Sequence, residues 1–312
     1  MDLFFVLSGF LITRILLYTR GTPEYFKNFY GRRSVRIFPL YFGALFLVFV
    51  VTPWLTGGPV VHLRQQLWYW FYVNNIAYTF NITAPGPNHF WSLAVEEHFY
   101  LVWPLLVALL PLGKLKRAAF GLIAVAVLTR ILLLQADYGV FYFTLSRVDA
   151  LSAGCLLAVW ERERSLGTKK RAFAYLGPVV GVLLGTVWFG IGGGALDWVQ
   201  VVKFTLIALT FMCAIGWLLL APRDSLIVRL LSTRALTFTG TISYGLYVIH
   251  PFVFSAVLGQ SVPGGAIGEF ILAYSLSFGL AYSVYHLYEK PFLSLKRYFE
   301  AGRKAQVEMP GI

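Results

Sequence analysis

Two glutamates and a histidine, the residues in this sequence best suited to acid–base chemistry, lie together in an apolar stretch, FWSLAVEEHFYLVWP. On a helix, Glu96 shares a face with Tyr100, whereas Glu97 is turned away by about 100°. His98 points nearly opposite Glu96 and is expected at the rim of a membrane span. A carboxylate held in a low dielectric can act as a general base, which makes both glutamates catalytic candidates. The alternative is that each is locked to an arginine of a neighbouring helix.

A second candidate site is the arginine cluster of FYGRRSVRIFPLYF, formed by Arg32, Arg33 and Arg36. Arg33 and Arg36 lie one turn apart and share a helix face. Guanidinium groups in such a pair can fork phosphate oxygens, which makes the cluster a candidate phosphate site. By composition alone, an anchor that touches lipid head groups is the better interpretation.

The stretch LSRVDALSAGC carries two opposite charges within an apolar segment. On one helix, Arg147 and Asp149 point about 200° apart, so each is expected to find its partner on another span. Ionisable groups inside a span are costly and are therefore candidates for function. Gly154 is expected to permit close approach of another helix.

Near the end of the chain, TISYGLYVIHPF places Tyr247 and His250 on one helical stripe. An imidazole near a membrane face suits proton transfer, and a satisfied interfacial histidine is the equally weighted alternative. In YHLYEKPF, Glu289 is expected to serve as a structural cap or as part of an ion pair.

Composition indicates that these residues belong to a membrane protein. Of 312 residues, 58% are hydrophobic and 13% are charged, about half the charged fraction of a soluble domain. The net charge of +12 falls mostly between apolar runs, which favours membrane topology over nucleic-acid binding. Cys155 and Cys213 lie inside apolar runs and are expected to be small buried hydrophobes.

The hydrophobic pattern predicts an all-α polytopic membrane protein with about nine transmembrane helices. An additional segment, 67–80, is shorter and contains two asparagines, so it is expected to be re-entrant or interfacial. The predicted spans are 3–18, 37–55, 90–111, 118–135, 142–160, 173–190, 199–220, 242–260 and 267–288.

Loop charges predict the orientation of these spans. Basic loops are cytoplasmic as a rule, which places the N-terminus outside and the C-terminus in the cytoplasm of an inner-membrane protein. The chain is expected to form one transmembrane domain over 1–292, followed by a short basic cytoplasmic tail over 293–312.

Taken together, the motifs resemble those of the membrane acyltransferase 3 family, whose members O-acylate sugars and related acceptors. The matching stretches occur in the family's order and are DLFFVLSGFLIT, FYGRRSVRIFPLY, FWSLAVEEHFYLVWP, SRVDALSAG, ISYGLYVIHPF and EKPF. The resemblance implies that acyl-CoA, usually acetyl-CoA, binds from the cytoplasm as donor substrate, with no tightly bound cofactor and no metal. It implies a hydroxyl of a sugar or cell-envelope glycan as acceptor.

The resemblance also implies roles for particular residues. The family's arginine pair falls on Arg33 and Arg36, with Arg32 beside it, and would hold the phosphates of CoA. The family's glutamate in its WSL motif falls on Glu96. Other family positions are matched by Asp2, Ser8, Arg147, Asp149 and His250.

One departure from the family pattern concerns its first span, which carries an arginine and, about a dozen residues later, a histidine. The stretch MDLFFVLSGFLIT corresponds to the second span, so the chain is expected to lack the first. Two alternatives to an active acyltransferase therefore stand: a catalytically incomplete fragment or homologue, and a transporter or flippase-like membrane protein.

Overall fold

The computed structural model describes residues 1–186, 197–260 and 262–299. Within them the chain folds into helices and loops without strands. The longer helices are α1 (Asp2–Thr19), α2 (Tyr25–Phe46), α6 (Trp91–Leu109), α7 (Leu112–Gln135), α8 (Thr144–Arg162), α9 (Lys170–Gly185), α10 (Asp197–Leu219), α12 (Arg234–Val257) and α13 (Gly265–Val284). The shorter ones are α3 (Thr52–Thr56), α4 (Leu63–Trp70), α5 (Asn74–Thr79), α11 (Leu226–Leu231) and α14 (Lys290–Ser294).

Seven helical segments of the described chain are long and apolar enough to cross a membrane. They correspond to seven of the nine predicted spans, which makes the protein a multi-pass helical membrane protein. The predicted span 142–160 becomes α8, which is helical but carries Arg147 and Asp149 near its start. The predicted span 173–190 becomes α9, whose 16 residues are about 24 Å long; residues 187–190 lie outside the described chain.

The segment 67–80 does not form a membrane-crossing helix. It is divided between α4 and α5, which have 8 and 6 residues and meet at a turn where Tyr72 has a positive φ of 56°. Helices of that length reach only about 12 Å, far less than the roughly 30 Å of a bilayer core.

The chain divides into two compact units. Among the described residues, unit one contains 1–25, 63–186 and 197–222, and unit two contains 26–62, 223–260 and 262–299.

Unit one is built around α8, whose residues from Ser146 to Val159 are all buried. The helix packs against α1, α7, α10 and α6. Two glycines bring α1 and α8 together: a Cβ on Gly154 would lie 2.0 Å from the carbonyl oxygen of Val6. A Cβ on Gly9 would lie 1.9 Å from the carbonyl oxygen of Leu151. The close approach predicted for Gly154 is confirmed, and the surrounding helices keep the charges of α8 away from lipid.

Unit two contains α2, α12 and α13 and has two π-helical turns, Leu47–Val51 and Tyr285–Glu289. Tyrosine hydroxyls hold its elements together at the middle of α2. Tyr244 donates to the carbonyl of Ile37 at 2.8 Å, and Tyr288 donates to the carbonyl of Pro39 at 3.0 Å. Because π-turns insert one residue into a helix and often occur at functional sites, the turn that ends at Glu289 is of interest.

Candidate functional site

In unit one, a buried ion pair joins the start of α1 to the start of α8. The Arg147 guanidinium donates to the Asp2 carboxylate, and Arg147 is only 1% exposed. Aromatic rings surround its charge, and the centroid of Phe204 is 4.0 Å away. A carboxylate and aromatic faces are both favourable surroundings for a buried guanidinium. Asp2 and Arg147 therefore form an ion pair that joins α1 to α8.

A second buried pair lies two residues further along α8, at Asp149. Arg130 donates to Asp149 at 2.8 Å, and the Thr205 hydroxyl donates to the same carboxylate oxygen at 2.7 Å. The expectation that Arg147 and Asp149 have their partners on other helices is confirmed. Sequence reasoning assigned no role to Arg130, which is fully buried. Its position within an apolar stretch was the available signal.

The opposite ends of the same helices carry a second set of pairs. Arg14 near the end of α1 contacts Glu161 near the end of α8 at 3.0 Å. Lys116 near the start of α7 contacts Glu163 at 2.9 Å. Ion pairs thus join the helices of unit one at both ends of the bundle.

The face of α6 that carries Glu96 is connected to α1. The hydroxyls of Ser8 and Tyr100 are hydrogen-bonded, and Tyr100 lies one turn beyond Glu96. Glu96 and Glu97 are both partly buried near the middle of α6. Ser8 of α1 therefore lies next to the face of α6 that carries Glu96.

His98 connects the short helices of segment 67–80 to the start of α8. Its Nδ1 lies 2.7 Å from the Thr144 hydroxyl, and the Asn75 amide donates to the same hydroxyl at 2.8 Å. The sequence indicated only a rim position for His98. Asn75 is fully buried, so this contact fixes α5 against the bundle.

In unit two, the predicted arginine cluster lies along α2. Arg32 and Arg36 are exposed and Arg33 is partly buried. Lys296, in the single turn of 3-10 helix that follows α14, interacts electrostatically with all three. Sequence reasoning assigned Lys296 to a basic tail and gave it no role.

Glu289 is more buried than its predicted role as a cap or ion pair requires. Its side chain is 6% exposed, and its Oε1 has no hydrogen-bond partner among the described residues. A Cβ on Gly245 would lie 2.6 Å from that oxygen, so a side chain at position 245 would force the carboxylate to shift. Arg36 supplies an attractive charge nearby. Glu289 is therefore a candidate functional residue that sequence reasoning undervalued.

His250 and Tyr247 lie on α12 in unit two, with ring centroids 6.1 Å apart. The Nδ1 of His250 lies 2.9 Å from the carbonyl oxygen of Leu246. Because a carbonyl can only accept, Nδ1 carries the proton in this contact, and Nε2 of the neutral ring is an acceptor. This tautomer is suited to removing a proton from a substrate hydroxyl.

These features define a multi-pass helical membrane protein with buried ion pairs in one unit and a basic cluster with a buried carboxylate in the other. A family model described as an acyltransferase domain matches residues 1–286. The chain belongs to the acyltransferase 3 family, as its motifs predicted.

Curated proteins that are similar to this chain are named as O-acetyltransferases. "Putative peptidoglycan O-acetyltransferase YrhL" of Bacillus subtilis (strain 168) is 29% identical over 328 residues, covering 93% of this chain and 49% of the relative. "Peptidoglycan O-acetyltransferase OatA" of Listeria monocytogenes is 29% identical over 284 residues, covering 80% of this chain and 43% of the relative. The chain thus spans about half the length of the curated relatives it matches. No solved structure matches it.

Proposed function

We propose that the protein is a membrane-bound O-acetyltransferase that moves an acetyl group from acyl-CoA to a hydroxyl of a cell-envelope glycan. The match to the acyltransferase family over residues 1–286 is the observation that carries the proposal. The names of the curated relatives support peptidoglycan as the acceptor. The helices expose large apolar side chains along their lengths, which supports a location in the lipid bilayer.

The donor-binding role belongs to Arg32, Arg33 and Arg36 of unit two. Guanidinium groups bind phosphate oxygens through charge-assisted, often bidentate hydrogen bonds. The loop charge pattern puts this end of α2 on the cytoplasmic side, where acyl-CoA is available. The electrostatic interactions among these arginines and Lys296 support a phosphate site.

In the reaction, the acceptor hydroxyl oxygen attacks the thioester carbonyl carbon, directly or through an enzyme-bound acyl group. The carbon–sulfur bond breaks, and the CoA thiolate leaves and takes up a proton. We assign removal of the hydroxyl proton to Nε2 of His250, because Nδ1 is committed to the carbonyl of Leu246.

The remaining predicted residues have roles in orientation. In unit one, we assign to Glu96 and Glu97 the orientation of the acceptor and to Ser8 a hydroxyl contact with substrate. In unit two, we assign to Tyr247 a hydroxyl contact with substrate. Asp2, Arg147 and Asp149 are held in buried ion pairs and would act by fixing the helices that carry these groups.

Transfer of radiolabelled acetyl groups in membranes tests the proposal. Arg33→Ala/Arg36→Ala should raise the KM for acetyl-CoA, whereas Glu96→Gln should lower kcat with little change in KM. Unchanged transfer in both variants would overturn the residue assignments. If the wild-type chain binds acetyl-CoA without transferring the acetyl group, the alternative of an incomplete fragment is favoured.

A second candidate function is transport. The two buried ion pairs of α8 favour it, because intramembrane charge pairs also occur along substrate and proton paths. Movement of a glycan precursor across vesicles in the absence of acetyl-CoA would decide for transport, and strict dependence on acetyl-CoA would decide against it.

A further inference from the structure

The last described segment of the chain folds back along α2. After α13 ends at Val284, the π-turn Tyr285–Glu289 leads into α14, and a turn of 3-10 helix, Leu295–Phe299, follows. The Phe299 ring lies on Gly31, where an added Cβ would be 2.3 Å from Cδ1 of that ring. At the other end, the Tyr288 hydroxyl donates to the carbonyl of Pro39.

These two contacts lie on either side of the arginine cluster along α2. Gly31 and Pro39 are eight residues apart on α2, which corresponds to about 12 Å of helix. Arg32, Arg33 and Arg36 lie between them in the sequence. A segment fixed at both positions runs along this stretch of α2, and Lys296 lies within the segment, three residues before the Phe299 contact.

The result is a concentration of positive charge. Lys296 interacts electrostatically with Arg36, Arg32 and Arg33, so it adds a fourth basic side chain to the three arginines. The buried Glu289 carboxyl lies near Arg36. Like charges held close together repel one another, and an anion of high charge that binds among them relieves this repulsion.

We propose that Lys296 is a fourth cation of a polyphosphate-binding site with Arg32, Arg33 and Arg36, and that it binds the phosphates of the CoA donor. CoA fits this site by its chemistry, because a diphosphate and a 3′-phosphate place several negative charges within one small molecule. Lys296 is suited to such a role, since an ammonium acts as a point charge beside the forked arginines. This inference rests on the proposed function and adds to it a residue from the opposite end of the chain.

The test measures binding of CoA to the full-length protein in nanodiscs of neutral lipid. Loss of one charged hydrogen-bonding group predicts that Lys296→Ala weakens CoA binding by about tenfold. Lys296→Arg should retain most of the affinity. Arg297→Ala is the matched control, because Arg297 is the next residue, has the same charge and lies over the ring of Tyr298 with its guanidinium carbon 4.9 Å from the centroid; its affinity should stay near wild type.

Acetyl transfer from S-acetylpantetheine, which lacks the phosphates, separates phosphate binding from a structural role. Lys296→Ala should leave the KM for this donor unchanged while it raises the KM for acetyl-CoA. Equal affinity of Lys296→Ala and Arg297→Ala for CoA would overturn the inference, as would an equal rise in KM for both donors. A defect in Lys296→Ala that appears only in nanodiscs containing anionic phospholipid would assign Lys296 to lipid head groups and also overturn it. Failure of the proposed function is distinct, because the wild-type protein would then transfer no acetyl group from either donor, whereas the CoA affinities of Lys296→Ala and Arg297→Ala would still test the inference.

Discussion

Charged residues are buried and paired in unit one, whereas they are clustered and partly exposed in unit two. In unit one, Arg147 and Arg130 are buried, and each is paired with a carboxylate on another helix. In unit two, Arg32 and Arg36 are exposed and are joined by further cations. Charges that are neutralised inside a bundle serve its stability and geometry, whereas an excess of one sign at an accessible surface serves binding. The difference predicts that substitutions in unit one affect folding and that those in unit two affect donor affinity.

The largest effect is expected when one member of a buried pair is removed. Asp149→Ala leaves Arg130 charged and without its carboxylate inside the bundle, which should cost about 3–5 kcal/mol of stability. Thermal unfolding of the purified protein, followed by loss of the monodisperse elution peak, measures this cost. Lys116→Ala is the control, because the Lys116–Glu163 pair is partly exposed and should contribute at most about 1 kcal/mol. Similar losses in both variants would contradict the view that burial gives these pairs their importance.

A somewhat smaller effect is expected at the contact of α1 with α8. Gly154→Ala puts a methyl group 2.0 Å from a backbone oxygen that cannot move independently, so overpacking should cost about 1–3 kcal/mol. Gly121→Ala is the matched control, since this exposed helical glycine has open space around it and alanine favours helix by about 1 kcal/mol. The two variants should therefore shift the unfolding temperature in opposite directions. A stabilised Gly154→Ala protein would show that α1 and α8 are less closely packed than described.

Ionic strength should separate the two units without any substitution. The Debye length falls from about 30 Å at 0.01 M to about 3 Å at 1 M salt, and exposed charges are screened far more than buried ones. The KM for acetyl-CoA should rise several-fold over this range while the unfolding temperature changes little. S-acetylpantetheine is the control donor, and its KM should be independent of salt. A salt-independent KM for acetyl-CoA would contradict an electrostatic role of the basic cluster in donor binding.

The sequence predicted helix positions and side-chain directions better than it predicted partners. Helical geometry alone showed that Arg147 and Asp149 must point to different neighbours, and the structure confirms this. It could not identify Asp2, which is 145 positions away, or Arg130 as those neighbours. Such pairings depend on how helices pack, which hydrophobic periodicity does not encode.

Two features of unit two show the same limit. Glu289 was predicted to be a helix-end residue, because the space that Gly245 leaves for it lies on another helix and is not visible in the local motif. The pattern of predicted spans likewise placed Lys296 in a basic tail. It could not show the contact of Phe299 with Gly31, because these residues are far apart in the chain. Candidate roles could be predicted from local motifs, but not the grouping of residues from distant motifs.

The smallest effect is expected at the hydrogen bond between Ser8 and Tyr100, which joins α1 to the Glu96 face of α6. Ser8→Ala and Tyr100→Phe each remove one neutral hydrogen bond and should each cost about 1 kcal/mol of stability. Because both substitutions remove the same contact, the double variant should lose little more than the more affected single variant. A double-mutant cycle of unfolding free energies measures this coupling, with Thr205→Val as a variant outside the contact whose effect should add to either one. Additive losses for Ser8 and Tyr100 would mean that the hydroxyls stabilise unit one through separate partners. Since Glu96 is assigned a role in orientation, a fall in kcat in both single variants, at equal protein content, would connect this contact to catalysis.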